Sequence, residues 1–267
     1  MPVARSAKRR LAPAAKAFAP RLYWRRKYDI LQRLGESRPD VQLVASLCGP
    51  NRVSLDIGAD VGEFTIAMLA SSRSVIAFEP RPAPARDLAS MFDAVGAAVR
   101  VEAVALSDQP GVATMRVVEP DPGRGTIDAG NVLGDVDGGG VQSIDVPVKR
   151  LDDLHLDDVG LVKIDVEGHE LAVLRGAADT LTRNRPAVLV EAVEAEERHH
   201  PNAVAAITEL LTGLGYEGYL DIGDGCRAVE EFDAARHQDP ANTGGREDGW
   251  AARGVYVNNF VLVPEGA

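Results

Sequence analysis

Residues 53–66, VSLDIGADVGEFTI, decide the fold. VSLDI reads as a strand, GADVG as a glycine-rich turn, and EFTI opens with helical spacing. A strand that feeds a helix through such a turn is the first unit of an open α/β sheet, and the turn is where these sheets hold ligands. A dinucleotide loop would need G-x-G-x-x-G, so that backbone amides and a helix N-terminus can meet a pyrophosphate. Counted from Gly58, the third position is Asp60 and the sixth is Glu63, so the pattern fails twice. No Gly-Lys-Ser/Thr follows, and a Walker loop fails as well. The spacing present is D-x-G-x-x-x-G, carried by Asp56, Gly58 and Gly62. Acids at this turn repel a pyrophosphate and favour a ligand whose charged end is cationic. S-adenosylmethionine, with its ammonium and sulfonium, has that chemistry.

Around this stretch the chain alternates. Strand candidates lie at 53–57, 74–79, 99–106, 160–166, 186–192, 216–221 and 254–263, and helical candidates at 62–71, 82–95, 169–183 and 202–214. Alternation at these lengths predicts an α/β fold: a mostly parallel seven-stranded sheet with helices on both faces. The final two strands have no clear helix between them, which predicts an antiparallel strand at the sheet edge. Residues 21–48 read as helix, broken near Gly35 and Pro39. The boundaries are therefore a basic N-terminal helical extension over 1–50 and one larger domain over 51–267. Two tracts rich in glycine and polar residues, 119–142 and 222–253, interrupt the pattern and suit functional loops or disorder.

The second strand, in VIAFEP, ends in Glu79, and Pro80 then turns the chain sharply away. An acid at that tip can accept hydrogen bonds from both ribose hydroxyls of a nucleoside. VRVEAVALSD ends in Ser107 and Asp108, placed to accept from an adenine amino group. LDIGADVGEFTIAML, VIAFEPRP, AVALSD, KIDVEGHE, PAVLVEAVE and NNFVLVP together resemble the FkbM-type S-adenosylmethionine-dependent methyltransferases over roughly residues 51 to 264. The resemblance implies a Rossmann-like class I methyltransferase fold, with Asp56, Gly58, Glu79 and Asp108 contacting S-adenosylmethionine. It also implies O-methylation of a sugar, a glycan or glycolipid, or a secondary metabolite. That family usually carries Asn where Asp60 stands. Asp60, Gly62, Pro80 and Ser107 complete the expected cofactor-binding set.

Methyl transfer to a hydroxyl needs alignment of nucleophile, methyl and sulfur, and a base to take the hydroxyl proton. LVKIDVEGHE is the richest source of one. Strand alternation puts Lys163, Asp165 and Glu167 on one face. Asp165, near the strand's end, is the first candidate for base or substrate-orienting acid. Glu167 and His169 are alternatives, and Glu191, ending PAVLVE, faces the same cleft edge. Glu167 and Glu170 also suit a helix N-terminus, and Lys163 suits a structural pair with Asp165. Asp165, Glu167 and Glu191 would be the carboxylates of a Mg²⁺-assisted variant. Acid-rich strand ends are common without metal, so no metal is assigned. His199–His200 are adjacent and, on a helix, would point apart; they read as a surface pair.

The charge of −11 is uneven: residues 1–28 hold nine Lys or Arg and no acid, which leaves 20 basic against 40 acidic residues elsewhere. An acidic body argues against a nucleic-acid acceptor, as does DVEG where amino-methylating enzymes carry an N/D-P-P-Y/F segment. The basic arm either contacts an anionic surface peripherally or packs on the acidic body as a solvated helix. It lacks the apolar stretch of a secretory signal. Cys48 and Cys226 lack metal-ligand spacing and read as free thiols of a cytoplasmic protein. The competing readings are a methyltransferase-fold binding protein without turnover, and an NAD(P)-linked oxidoreductase. The intact run of Asp56, Gly58, Gly62, Glu79, Asp108 and Asp165 opposes the first; Asp60 and Glu63 oppose the second.

Overall fold

Pro20 and Pro39 sit in the first turns of α1 (Pro20–Gly35) and α2 (Pro39–Leu47), where a missing N–H leaves no bond unmade. In the computed structural model, which describes residues 16–118, 125–129, 140–194, 202–222, 225–242 and 254–266, the alternating chain follows. It begins with β1 (Val53–Ile57), α3 (Glu63–Ser71), β2 (Ser74–Phe78), α4 (Pro82–Val95) and β3 (Val99–Glu102). Four strands then lie outside this rhythm: β4 (Ala105–Leu106), β5 (Gly111–Val118), β6 (Gly125–Thr126) and β7 (Val141–Lys149). The rhythm resumes with β8 (Val159–Ile164), α5 (Glu170–Arg175), α6 (Ala178–Asn184), β9 (Ala187–Glu191) and α7 (Ala203–Gly213). It closes with β10 (Tyr216–Asp221), β11 (Cys226–Ala228), α8 (Ala234–His237) and β12 (Asn259–Pro264).

The main sheet has eight strands in the order β11-β10-β12-β9-β8-β1-β2-β3. Leu55, Ile57, Ile76, Phe78, Val162, Ile164, Val188 and Val190 turn one way, into a core closed by α5, α6 and α7. Val75, Leu161 and Leu189 turn the other way, against Val44 of α2 and Met68 of α3. Helices on both faces explain why these parallel strands are apolar on both sides. A fully buried side chain such as Phe78, at 1% exposure, contributes roughly 1.5–3 kcal/mol. The chain runs outward from β1 to β3, then returns to β8 beside β1. That reversal opens a crevice at the strands' C-terminal ends.

The fold class is the one expected, with corrections of detail. The sheet has eight strands rather than seven, because the short β11 emerges from the tract read as a loop. The antiparallel β12 lies inside the sheet, between β9 and β10, while the antiparallel strand at the edge is β11. The expected strand 99–106 divides: β3 stays in the main sheet, and β4 joins a separate sheet of order β4-β7-β5-β6. That second sheet is built on the β5–β7 hairpin and packs Ala105, Met115, Val146 and Val148 together. The expected helix 169–183 also divides, at Gly176, where a Cβ would lie 2.1 Å from the Ser107 carbonyl oxygen. His199–His200, most of the 119–142 tract and part of the 222–253 tract lie outside the described residues. No helix among the described residues is long and apolar enough to cross a membrane.

Candidate active site

A cavity of about 460 Å³ opens where β1, β2 and β8 end. Gly58, Asp60, Glu79, Pro80, Asp165, Glu167 and His169 line it, so three chain-distant motifs meet there. Asp56, Gly62, Ser107, Asp108 and Glu191 do not line it, and each is held by protein groups nearby. Ile57, Phe78, Val104 and Leu106 form an apolar floor, joined by Met115 and Ile127 from the second sheet. Nothing in the spacing of the turn motif signals those last two, because they arrive with a hairpin the hydropathy pattern does not reveal.

Gly58 adopts φ +87°, and a Cβ there would stand 1.8 Å from the Asp165 carbonyl oxygen. Its glycine therefore lets the β1 turn close against the end of β8. Gly62, at φ +88°, precedes α3, and a Cβ would press within 2.7 Å of Leu88. Between them Asp60 takes φ +43°, and across the cavity Glu167 takes φ +56°. Left-handed backbone at a non-glycine residue costs on the order of 1–3 kcal/mol, and it accumulates at functional sites.

Asp56 is fully buried beneath the cavity. Its Oδ2 accepts a 2.5 Å hydrogen bond from Thr65, while Oδ1 has no hydrogen bond and faces Lys163 Nζ at 3.7 Å. Burial raises the Asp56 pKa, with Lys163 and Thr65 opposing. Lys163 donates to Asp165 Oδ2 at 3.1 Å and stands 4.4 Å from the centre of the Phe64 ring. Burial opposes its charge, but Asp165 and Asp56 together hold its pKa above the ordinary value. The sequence placed Asp56 as a cofactor contact; it sits one layer below, anchoring the cation that orients Asp165.

Glu79 is gripped more completely. Its Oε1 accepts from the backbone N–H of Arg81 at 2.9 Å and from Arg81 Nε at 2.7 Å. Its Oε2 accepts from the Asp60 N–H and from Arg81 Nη2, both at 3.0 Å. These four donors fill the roughly four lone-pair positions of a carboxylate. Arg81 Nη2 also donates to Asp60 Oδ1 at 2.5 Å. Burial works against the Arg81 charge, but Glu79 and Asp60 raise its pKa overall. Asp60 is thus half of a carboxylate pair that shares one guanidinium. Sequence reasoning passed over Arg81, although a cation two residues after Glu79 was the available signal. It also passed over Arg38, which follows α1, lines the cavity and pairs with Glu63 at 2.6 Å.

Ser107 Oγ and His169 Nε2 are 2.8 Å apart, and His169 Nδ1 is 3.9 Å from Asp128. With Nε2 accepting from the hydroxyl, the Nδ1–H faces Asp128. Turned the other way, the single Ser107 hydroxyl proton goes to Asp108 at 3.2 Å, and the Ser107 oxygen then accepts from the His169 Nε2–H. Glu191 accepts from Asn258 Nδ2 at 2.7 Å; desolvation and the nearby Asp165 raise its pKa, against Lys163. Glu170 opens α5 and accepts from the backbone N–H groups of Gly168, at 2.9 Å, and Val166, at 3.3 Å. Burial lifts its pKa to about 7 despite those donors. Among the described residues, no three His, Cys, Asp or Glu side chains are grouped to hold a metal ion. The cavity therefore offers a rim of four carboxylates and two arginines, Arg38 and Arg81, net acidic over an apolar floor, with one carboxylate held by a buried lysine.

Comparison with solved structures finds the FkbM methyltransferase of Methylobacillus flagellatus KT, at TM-score 0.50 and 14% identity. The match covers 80% of this chain and 44% of that one, so the chain spans less than half the length of that protein. An rRNA methylase from Streptococcus thermophilus matches at TM-score 0.44 and 8% identity, over 85% of this chain and 95% of its own. No curated protein matches the chain in sequence. The methyltransferase FkbM domain model matches residues 56–217, more than half of the chain and every cavity-lining residue except Arg38. By that match the chain belongs to the FkbM methyltransferase domain family.

Proposed function

We propose that the chain transfers a methyl group from S-adenosylmethionine, held in this cavity, to a hydroxyl of a sugar, a glycan or glycolipid, or a secondary metabolite. The observation that carries this reading is the cavity's make-up: carboxylates Asp60, Glu79, Asp165 and Glu167 around a floor of Ile57, Phe78, Val104 and Leu106. An apolar slot suits a planar base, and an acidic rim suits a ligand with cationic groups. The cofactor supplies an electrophilic methyl on a sulfonium.

The remaining work falls to the chain. Glu79 accepts the ribose hydroxyls once Arg81 turns from it, and Asp60 gives the displaced guanidinium a partner. The backbone around Gly58 and Gly62, with Pro80, shapes that side of the slot. Ser107 and Asp108 stand behind Leu106, toward the adenine end. Asp165 is the base: Lys163 holds Oδ2, and Oδ1 takes the proton of the acceptor hydroxyl. Glu167 and His169 orient the acceptor from the same rim, and Glu191 supports Asp165 from behind.

Calorimetric titration of the pure protein tests the cofactor assignment. S-adenosylmethionine should bind at one site, and NAD should not; the reverse would remove the reading. Asp165→Asn should keep cofactor affinity and lower turnover by about 10²–10⁴-fold. Full turnover in that variant would take the base role from Asp165. Mass spectrometry of glycan and metabolite extracts incubated with labelled cofactor then identifies the acceptor.

A further inference from the structure

Helix α1 has two faces of different chemistry. Its inner face is settled: Trp24, Tyr28 and Leu31 pack with Leu88, Met91 and Phe92 of α4. The Tyr28 and Phe92 rings meet edge to face at 6.3 Å. Lys16 and Lys27 lie over the Trp24 ring, at 4.9 and 5.3 Å from its centre, so they belong to this inner arrangement.

The outer face is apolar and basic together. Leu22 is 69% exposed, Ile30 49% and Leu34 55%, and Phe18 just before the helix is 90% exposed. Arg21, Arg26 and Arg33 are exposed among them, Arg25 donates to the Ala94 carbonyl of α4 at 3.1 Å, and Asp29 is the one acid between residues 16 and 35. The chain before α1 adds Arg5, Lys8, Arg9 and Arg10, again with no acid. A helix held in place by one face has no folding reason to present Leu22, Ile30 and Leu34 to water.

We propose that this outer face of α1 docks the protein on an anionic lipid bilayer. The apolar side chains enter the acyl boundary, and the arginines, with long apolar stems, reach the anionic headgroups. Charge selects this occupant. Outside residues 1–35 the chain carries 19 basic and 39 acidic residues, so an anionic surface repels the remainder as a whole. A polyanion such as nucleic acid would satisfy the arginines and leave the apolar residues in water. A second copy could match this face only with the same face of its own, which would set arginines against arginines, and the other exposed large apolar residues described are the scattered valines Val61, Val112, Val141 and Val255.

Co-sedimentation of the full chain with vesicles tests the proposal, using phosphatidylcholine alone and phosphatidylcholine containing phosphatidylglycerol. Binding should be at least about tenfold tighter to the mixed vesicles and should weaken with added salt. Two exposed-residue variants separate the contributions: Leu22→Ser/Ile30→Ser/Leu34→Ser and Arg26→Gln/Arg33→Gln. Each should lower binding by about tenfold while leaving the melting temperature and the calorimetric cofactor titration unchanged. No binding to mixed vesicles, equal binding to both kinds, or undiminished binding by the leucine–isoleucine variant would overturn the proposal. So would a dimer in sedimentation equilibrium that this variant dissolves, because the face would then belong to a second copy.

Discussion

Replacing Glu170 with Gln tests the electrostatics beneath the site. The Glu170 carboxyl is 3% exposed, and burial lifts its pKa from an ordinary 4.5 to about 7. The native state therefore keeps a proton that the unfolded chain has released over that interval. Stability associated with this group is fully present below pH 4.5 and is lost as pH rises toward 7. At about 1.4 kcal/mol per pH unit, the loss between about pH 5 and about pH 8 is roughly 2 to 3 kcal/mol. A Gln amide is neutral at every pH, and its oxygen can still accept from the N–H groups of Gly168 and Val166. Glu170→Gln should carry a constant offset from changed hydrogen bonding but lack this slope. Urea unfolding of both proteins across that range measures the difference directly. Glu191, whose pKa is also raised, adds to the slope of both proteins and cancels in the comparison. Parallel curves would mean that Glu170 is ionised throughout, with its backbone donors outweighing burial.

Three further substitutions probe the turn and the buried charges. Gly58→Ala should destabilise the fold by at least about 3 kcal/mol in denaturant melts, because the new Cβ meets the Asp165 carbonyl oxygen and the backbone is left-handed. Arg81→Ala should cost roughly 3 kcal/mol by leaving Glu79 buried without its cation, whereas Asp60→Asn, at a side chain 45% exposed, should cost under about 1 kcal/mol. Equal losses from the two would contradict the shared-guanidinium geometry. Lys163→Met should cost about 3–5 kcal/mol at neutral pH and less in acid, where Asp56 takes up a proton; unfolding at two pH values checks the sign.

The parts of the fold legible in the sequence were those with strong local signals. The β1 turn, the break in the first helical stretch near Gly35 and Pro39, and the apolar strands all carry their own evidence within a few residues. The second sheet was not legible: β5 reads as partly exposed, and its partner β7 follows a tract of glycine and aspartate. Its pairing is a long-range fact that hydropathy does not encode. Within the site, the acids at the strand ends were visible, and their ranking by depth was not. Asp56, two residues before Gly58, looks like a rim residue in sequence, yet strand alternation points it toward Thr65 and Lys163 beneath the floor. Arg81 was hidden differently, because an arginine after a proline reads as a solvated surface charge until Glu79 and Asp60 are placed around it.

The interior position of β12 bears on how the molecule assembles. β10 joins the main sheet through β12, whose residues are among the last in the sequence. A chain emerging in order can therefore complete β1, β2, β3, β8 and β9 while β10 and β11 remain a detached hairpin. The final strand must enter a slot with a neighbour on each side, a non-local step that makes closure slow relative to the helices. Until then β9 presents an open apolar edge, which is where association between nascent chains would begin.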